Sequence, residues 1–85
     1  MQIINYTVSS PDGLKTAVAG QLVKIADESG CTVTIDKGGK TVNAKKLYAV
    51  IGLDVRHGDQ ITLTVSGPSE TDTAGGIKTL LLENV

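Results

Sequence analysis

The segment Gln60-Ile61-Thr62-Leu63-Thr64-Val65-Ser66 decides the fold. Ile61, Leu63 and Val65 alternate with Thr62 and Thr64, so one side of an extended segment is aliphatic and the other carries hydroxyls. The same period-two pattern recurs in Cys31-Thr32-Val33-Thr34-Ile35, and in Gln2 to Val8, where Ile4, Tyr6 and Val8 share a side. Strands of this kind belong to a sheet covered on one face only. Asp36-Lys37-Gly38-Gly39 reads as a hairpin turn, with Lys40 to Ala44 as its return strand.

Outside the strands the period changes. From Thr16 to Glu28, Val18, Leu22 and Ile25 or Ala26 recur at helical spacing, with Ala19 and Val23 widening the stripe. This predicts an amphipathic helix that starts near Lys15 or Thr16 and ends at Ser29-Gly30. A second long helix is expected from Ser69, with Asp72 three residues on as an approximate capping box. Its stripe is Ile77, Leu80 and Leu81. Gly75-Gly76 falls inside it at about 1 kcal/mol per glycine relative to alanine. Either the helix begins after the pair or a close contact requires the missing side chains.

A short helix is expected at about Lys46 to Gly52. Val50 and Leu53 face the core, whereas Leu47 and Ile51, with Tyr48 adjacent, lie on another side and are expected to be exposed. Both long helices must cover the single apolar face of the sheet. The prediction is an α+β open-faced sandwich, β-α-β-β-α-β-α, forming one domain over residues 1–85.

Composition narrows the function. The 85 residues include one His, one Cys, two Tyr and neither Trp nor Phe, with a net charge of −1. No apolar run is long enough to cross a bilayer, and no cationic start precedes an apolar stretch, so a cytoplasmic protein is expected. A lone cysteine makes no intrachain disulfide or metal cluster, and Cys31 lies on an inward strand face. The lysines at 37, 40, 45 and 46, with Arg56, read as a solvated rim, since the charge balance and lack of interleaved aromatics do not suit nucleic acid. No metal spacing, nucleophile–base pair or phosphate-binding glycine loop suggests an independent enzyme or a cofactor.

Lys15 and Lys46 stand at helix starts, where unpaired N–H groups favour anions. Lys15 either leans away, toward Asp12, or helps to form an anion site at the first helix. His57, in Arg56-His57-Gly58-Asp59, is expected to be an exposed loop residue.

Three blocks carry a resemblance. Pro11-Asp12-Gly13-Leu14 with Ala19-Gly20-Gln21-Leu22-Val23-Lys24 resembles the first helix of the HPr phosphocarriers of the sugar phosphotransferase system. Gly39-Lys40-Thr41-Val42-Asn43-Ala44-Lys45 and His57-Gly58-Asp59-Gln60-Ile61-Thr62-Leu63 are similar to two further blocks of that family. The resemblance runs without gaps from the first strand to the last helix. It implies a four-stranded antiparallel sheet covered on one face by helices.

In that family a histidine in G-[LI]-H-x-R-P carries the phosphoryl group. Here the stretch is Gly13-Leu14-Lys15-Thr16-Ala17-Val18, so Lys15 replaces the acceptor, Ala17 the arginine and Val18 the proline; Thr16 fits the motif. An imidazole with pKa near ~6.5 is available as a nucleophile at neutral pH, whereas an ordinary lysine near ~10.4 is protonated. Lys46 occupies the position of the regulatory serine found in low-GC Gram-positive relatives. Asp54 replaces a usual glycine, and the family geometry implies that it lies near Lys15 as its partner.

The resemblance also implies that Gly20, Leu47, Tyr48 and Ile51 match residues docking onto Enzyme I, sugar permease domains and regulators, with Lys24 keeping a nearby positive charge. The expected function is therefore a regulatory or binding module that docks protein partners without carrying phosphate. The alternatives are a phosphocarrier using Lys15 or His57, and a domain recognising an anion at the first helix.

Overall fold

A computed structural model describes all residues, 1–85. Its elements are β1 (Gln2–Thr7), α1 (Thr16–Ser29), β2 (Thr32–Lys37), β3 (Lys40–Asn43), α2 (Leu47–Gly52), β4 (Gln60–Ser66) and α3 (Glu70–Asn84). The four strands form one sheet in the order β1-β4-β2-β3, every neighbouring pair antiparallel. The expected open-faced sandwich is what forms.

β4 is central because its aliphatic side has partners on both flanks. Leu63 stands opposite Ile4 of β1 and Ile35 of β2, and Val65 stands opposite Val33. These side chains are buried, together with Val18, Ala19, Leu22 and Ala26 of α1 and Ala74, Ile77, Leu80 and Leu81 of α3. Each fully buried aliphatic side chain contributes about 1.5–3 kcal/mol relative to exposure. That burial compensates for the missing Phe and Trp. Tyr6 adds a polar tie between layers, its hydroxyl donating to the Leu81 carbonyl at 3.1 Å.

Two expectations about α3 fail. The helix runs straight through Gly75 and Gly76, both exposed, and a Cβ at either would meet nothing within 4 Å. Neither a later start nor a close contact therefore accounts for the pair. Burial of Thr73, Ala74, Ile77, Leu80 and Leu81 carries the helix through two poor formers.

The capping box is also absent. The Ser69 hydroxyl makes no cap bond but donates to the Ser29 carbonyl at 2.9 Å, tying the start of α3 to the end of α1. Glu70 and Asp72 in the first turn still oppose the positive end of the helix dipole. α1 ends as predicted, at Gly30 with φ of 71°. Cys31 precedes β2 and is buried. No helix is long and apolar enough to cross a membrane.

Candidate docking surface and the start of the first helix

The loop before α1 rests on the loop after α2. Gly13 has φ of 66°, and a Cβ there would lie 2.2 Å from the Val55 carbonyl oxygen and 2.8 Å from the Arg56 Cα. Only glycine fits both the conformation and the space. The next residue continues the contact, the Leu14 N–H donating to the Val55 carbonyl at 3.1 Å.

This places Lys15 at the N-cap of α1 in extended backbone, with no side-chain cap bond. Its Nζ lies 3.5 Å from Asp12 Oδ2, and both side chains are mostly exposed. Thr16 and Ala17, the first helical residues, are exposed as well. The helix start thus offers a weak surface ion pair and no imidazole.

Asp54 does not approach Lys15 as a partner. Its carboxylate accepts from Arg56 Nε at 2.9 Å and pairs with Arg56 Nη2 at 2.6 Å. That guanidinium holds the Asp54 carboxyl below its ordinary pKa. Asp54 is the one non-glycine residue with positive φ, 53°, a conformation that favours glycine and that aspartate tolerates. His57 is exposed in the same loop, with Nδ1 3.1 Å from the Ser9 carbonyl oxygen.

The second surface is α2. Val50 is fully buried and Leu53 nearly so, which fixes the helix on the core. Tyr48 stands 85% exposed and Ile51 38%. Leu47 departs from expectation: it is half-buried, packed against the core cluster, so its side chain is only partly available. Lys46 is an exposed N-cap without a cap bond. On the adjacent α1, Gly20 is half-buried with open space where a Cβ would stand, and Lys24 is exposed.

A residue assigned to the solvated rim fixes this surface. Lys37 Nζ donates to the carbonyl oxygens of Leu53 at 3.0 Å and Asp54 at 2.6 Å, and pairs with Asp59 Oδ2 at 2.9 Å. It closes the C-terminal end of α2, where carbonyls lack helical partners and the dipole favours a cation. The lysine, then the Arg56 N–H, holds the Asp59 carboxyl below its ordinary pKa. The only sequence signal is a lysine entering a Gly-Gly turn, which does not reveal carbonyl partners sixteen and seventeen residues away.

A family model described as "PTS HPr component phosphorylation site" matches residues 4–83. The phosphocarrier protein HPr of Lysinibacillus sphaericus is 32% identical over 83 residues, 98% of this chain and 94% of that protein. The HPr of Chlamydia muridarum is 33% identical over 64 residues, 75% of this chain, which spans 62% of the chlamydial protein's length. The structure of HPr from Bacillus anthracis matches with a TM-score of 0.85 at 28% identity, covering 94% of this chain and 95% of that one. Crh of Bacillus subtilis, named for catabolite repression and crystallised as a domain-swapped dimer, matches at 0.75 and 29%, covering 94% and 92%. With the matched span running from the first strand to the last helix, on the same one-faced sheet, this chain belongs to the HPr family of the phosphotransferase system.

Proposed function

We propose that this chain is a single-domain, cytoplasmic HPr paralogue that binds protein partners of the phosphotransferase system, or a regulator, without carrying phosphate. The observation behind this reading is the exposed Lys15–Asp12 pair, with Ala17 beside it, where the family's acceptor histidine and arginine stand. Transfer to a protonated ammonium has no lone pair to use. Docking has the physical means that catalysis lacks: Tyr48 and Ile51 project from a helix whose inner face is locked in the core. A large amphipathic side chain such as tyrosine is a frequent interface anchor. The structural likeness to Crh, a protein named for catabolite repression, supports a regulatory role.

The experiment is a titration of the isotope-labelled chain with Enzyme I, a sugar permease domain and an HPr-responsive regulator, followed by NMR. Binding is expected to shift the amides of Leu47, Tyr48 and Ile51, with Gly20 and Lys24 at the margin. The Tyr48→Ala/Ile51→Ala double variant should keep its fold and lose at least about tenfold in affinity. Equal affinity in that variant would refute the proposed surface.

A further inference from the structure

The sheet has two edges, and they are treated differently. β3 has only four residues; its Asn43 carbonyl accepts the Lys46 N–H at 3.1 Å, and exposed Lys40 and Lys46 flank it. Short length and lysines are common guards against strand addition. β1 has six residues, and Gln2 to Ser10 contains no charged side chain and no proline.

The direction of the free backbone groups on β1 follows from its end. The Val8 N–H donates to the Asp59 carbonyl at 2.8 Å, and the Val8 carbonyl accepts the Gly58 N–H at 2.8 Å. Residues alternate along a strand, so Ile4 and Tyr6 also turn their backbone groups toward β4. The N–H and C=O groups of Ile3, Asn5 and Thr7 therefore point out of the sheet edge. All three residues are exposed, Ile3 by 59%, and the Asn5 side chain is held on the open face by the Thr62 hydroxyl at 2.9 Å.

We propose that β1 pairs antiparallel with β1 of a second copy of this chain, about a twofold axis through Asn5. Ile3 then stands opposite Thr7 of the second copy, and Asn5 opposite Asn5. Every outward N–H of Ile3, Asn5 and Thr7 meets an outward carbonyl, so the edge is complementary to itself. A second copy suits it because neither strand brings a charged side chain to repel the other, and the adjoining Met1 ammonium is paired with Glu70. The Ile3 side chains also leave water on the open face beside Thr7 of the other copy. One strand pair buries less than the roughly 1,200–2,000 Å² of a stable interface, so the dimer is weak and reversible. This inference is independent of partner docking, since β1 and α2 are separate elements.

Sedimentation equilibrium from about 20 µM to about 1 mM covers the range of such an association. The wild-type chain is expected to dimerise progressively with concentration. Asn5→Pro removes an N–H that β4 does not use, and Ile3→Lys puts two cations on the shared edge. Both variants are expected to stay monomeric at the highest concentration with unchanged circular dichroism; should Asn5→Pro fail to fold, Ile3→Lys decides. A wild-type monomer throughout, or a dimer that persists in a folded variant, as domain swapping would give, overturns the proposal.

Discussion

Two loops lie against each other in this protein, and the molecule holds them very differently. The loop before α1 ends in a helix start with no side-chain cap and a solvent-facing Lys15–Asp12 pair at 3.5 Å. The loop after α2 is gripped by Lys37 through the Leu53 and Asp54 carbonyls and Asp59, above the buried side chains of Val50, Leu53 and Val55. The difference separates geometry from chemistry. The backbone seat at the start of α1 is well defined, because Gly13 and Leu14 rest on Val55, yet the helix start it sets up carries only a solvent-facing ion pair. The helix that presents Tyr48 is meanwhile fixed by both burial and charge.

The contact between the loops offers the most disruptive test. Gly13→Ala forces a Cβ into the Val55 carbonyl and an alanine into left-handed backbone. Strain and overpacking together are expected to cost about 2–4 kcal/mol in urea unfolding. A loss below about 0.5 kcal/mol, the ordinary range for surface substitutions, would show that the two loops do not rely on each other.

A smaller effect tests the clasp. The folded-state pKa of Asp59 is depressed chiefly by Lys37, so its contribution is fully present above the unfolded value near ~3.9 and is lost as pH falls through the folded value. Asp54, depressed by Arg56, acts in the same direction. Urea-unfolding stability should thus be flat from neutral pH to about 5 and decline below about pH 4. In Lys37→Met that acid decline should be shallower, and the amides of Leu53 to Asp59 should exchange faster than those of β4. An unchanged acid profile, with unchanged exchange, would mean that the lysine contributes nothing to holding α2.

Much of the fold was legible because period two and period 3.6 leave strong traces in aliphatic side chains. Ile61, Leu63 and Val65 point inward as the alternation requires, and Gly30 ends α1 as its missing Cβ allows. Gly75-Gly76 and Ser69 misled for one reason: local propensity and capping preference give way when packing of Ile77 and Leu81 or a cross-helix bond to Ser29 is available. Leu47 misled because a six-residue helix near the edge of a sheet can half-bury a residue outside its main stripe.

The candidate site was only half legible. The lysine and alanine at positions 15 and 17 are read directly from residue identity, and the exposure of Tyr48 follows from spacing. Lys37 does not, since its partners are backbone carbonyls brought close by the turn between β2 and β3. Asp54 was placed with the wrong cation, because nothing in the sequence favours distant Lys15 or neighbouring Arg56 until the loop geometry is known.

The central claim is that this chain keeps the HPr scaffold without phosphoryl transfer. Incubation with phosphoenolpyruvate and Enzyme I, followed by intact mass measurement under alkaline conditions that preserve phosphohistidine and phospholysine, tests it most directly. The account predicts an unchanged mass while a histidine-containing HPr in the same reaction gains one phosphoryl group. A stoichiometric phosphoryl adduct on this chain, at Lys15, His57 or elsewhere, would contradict it.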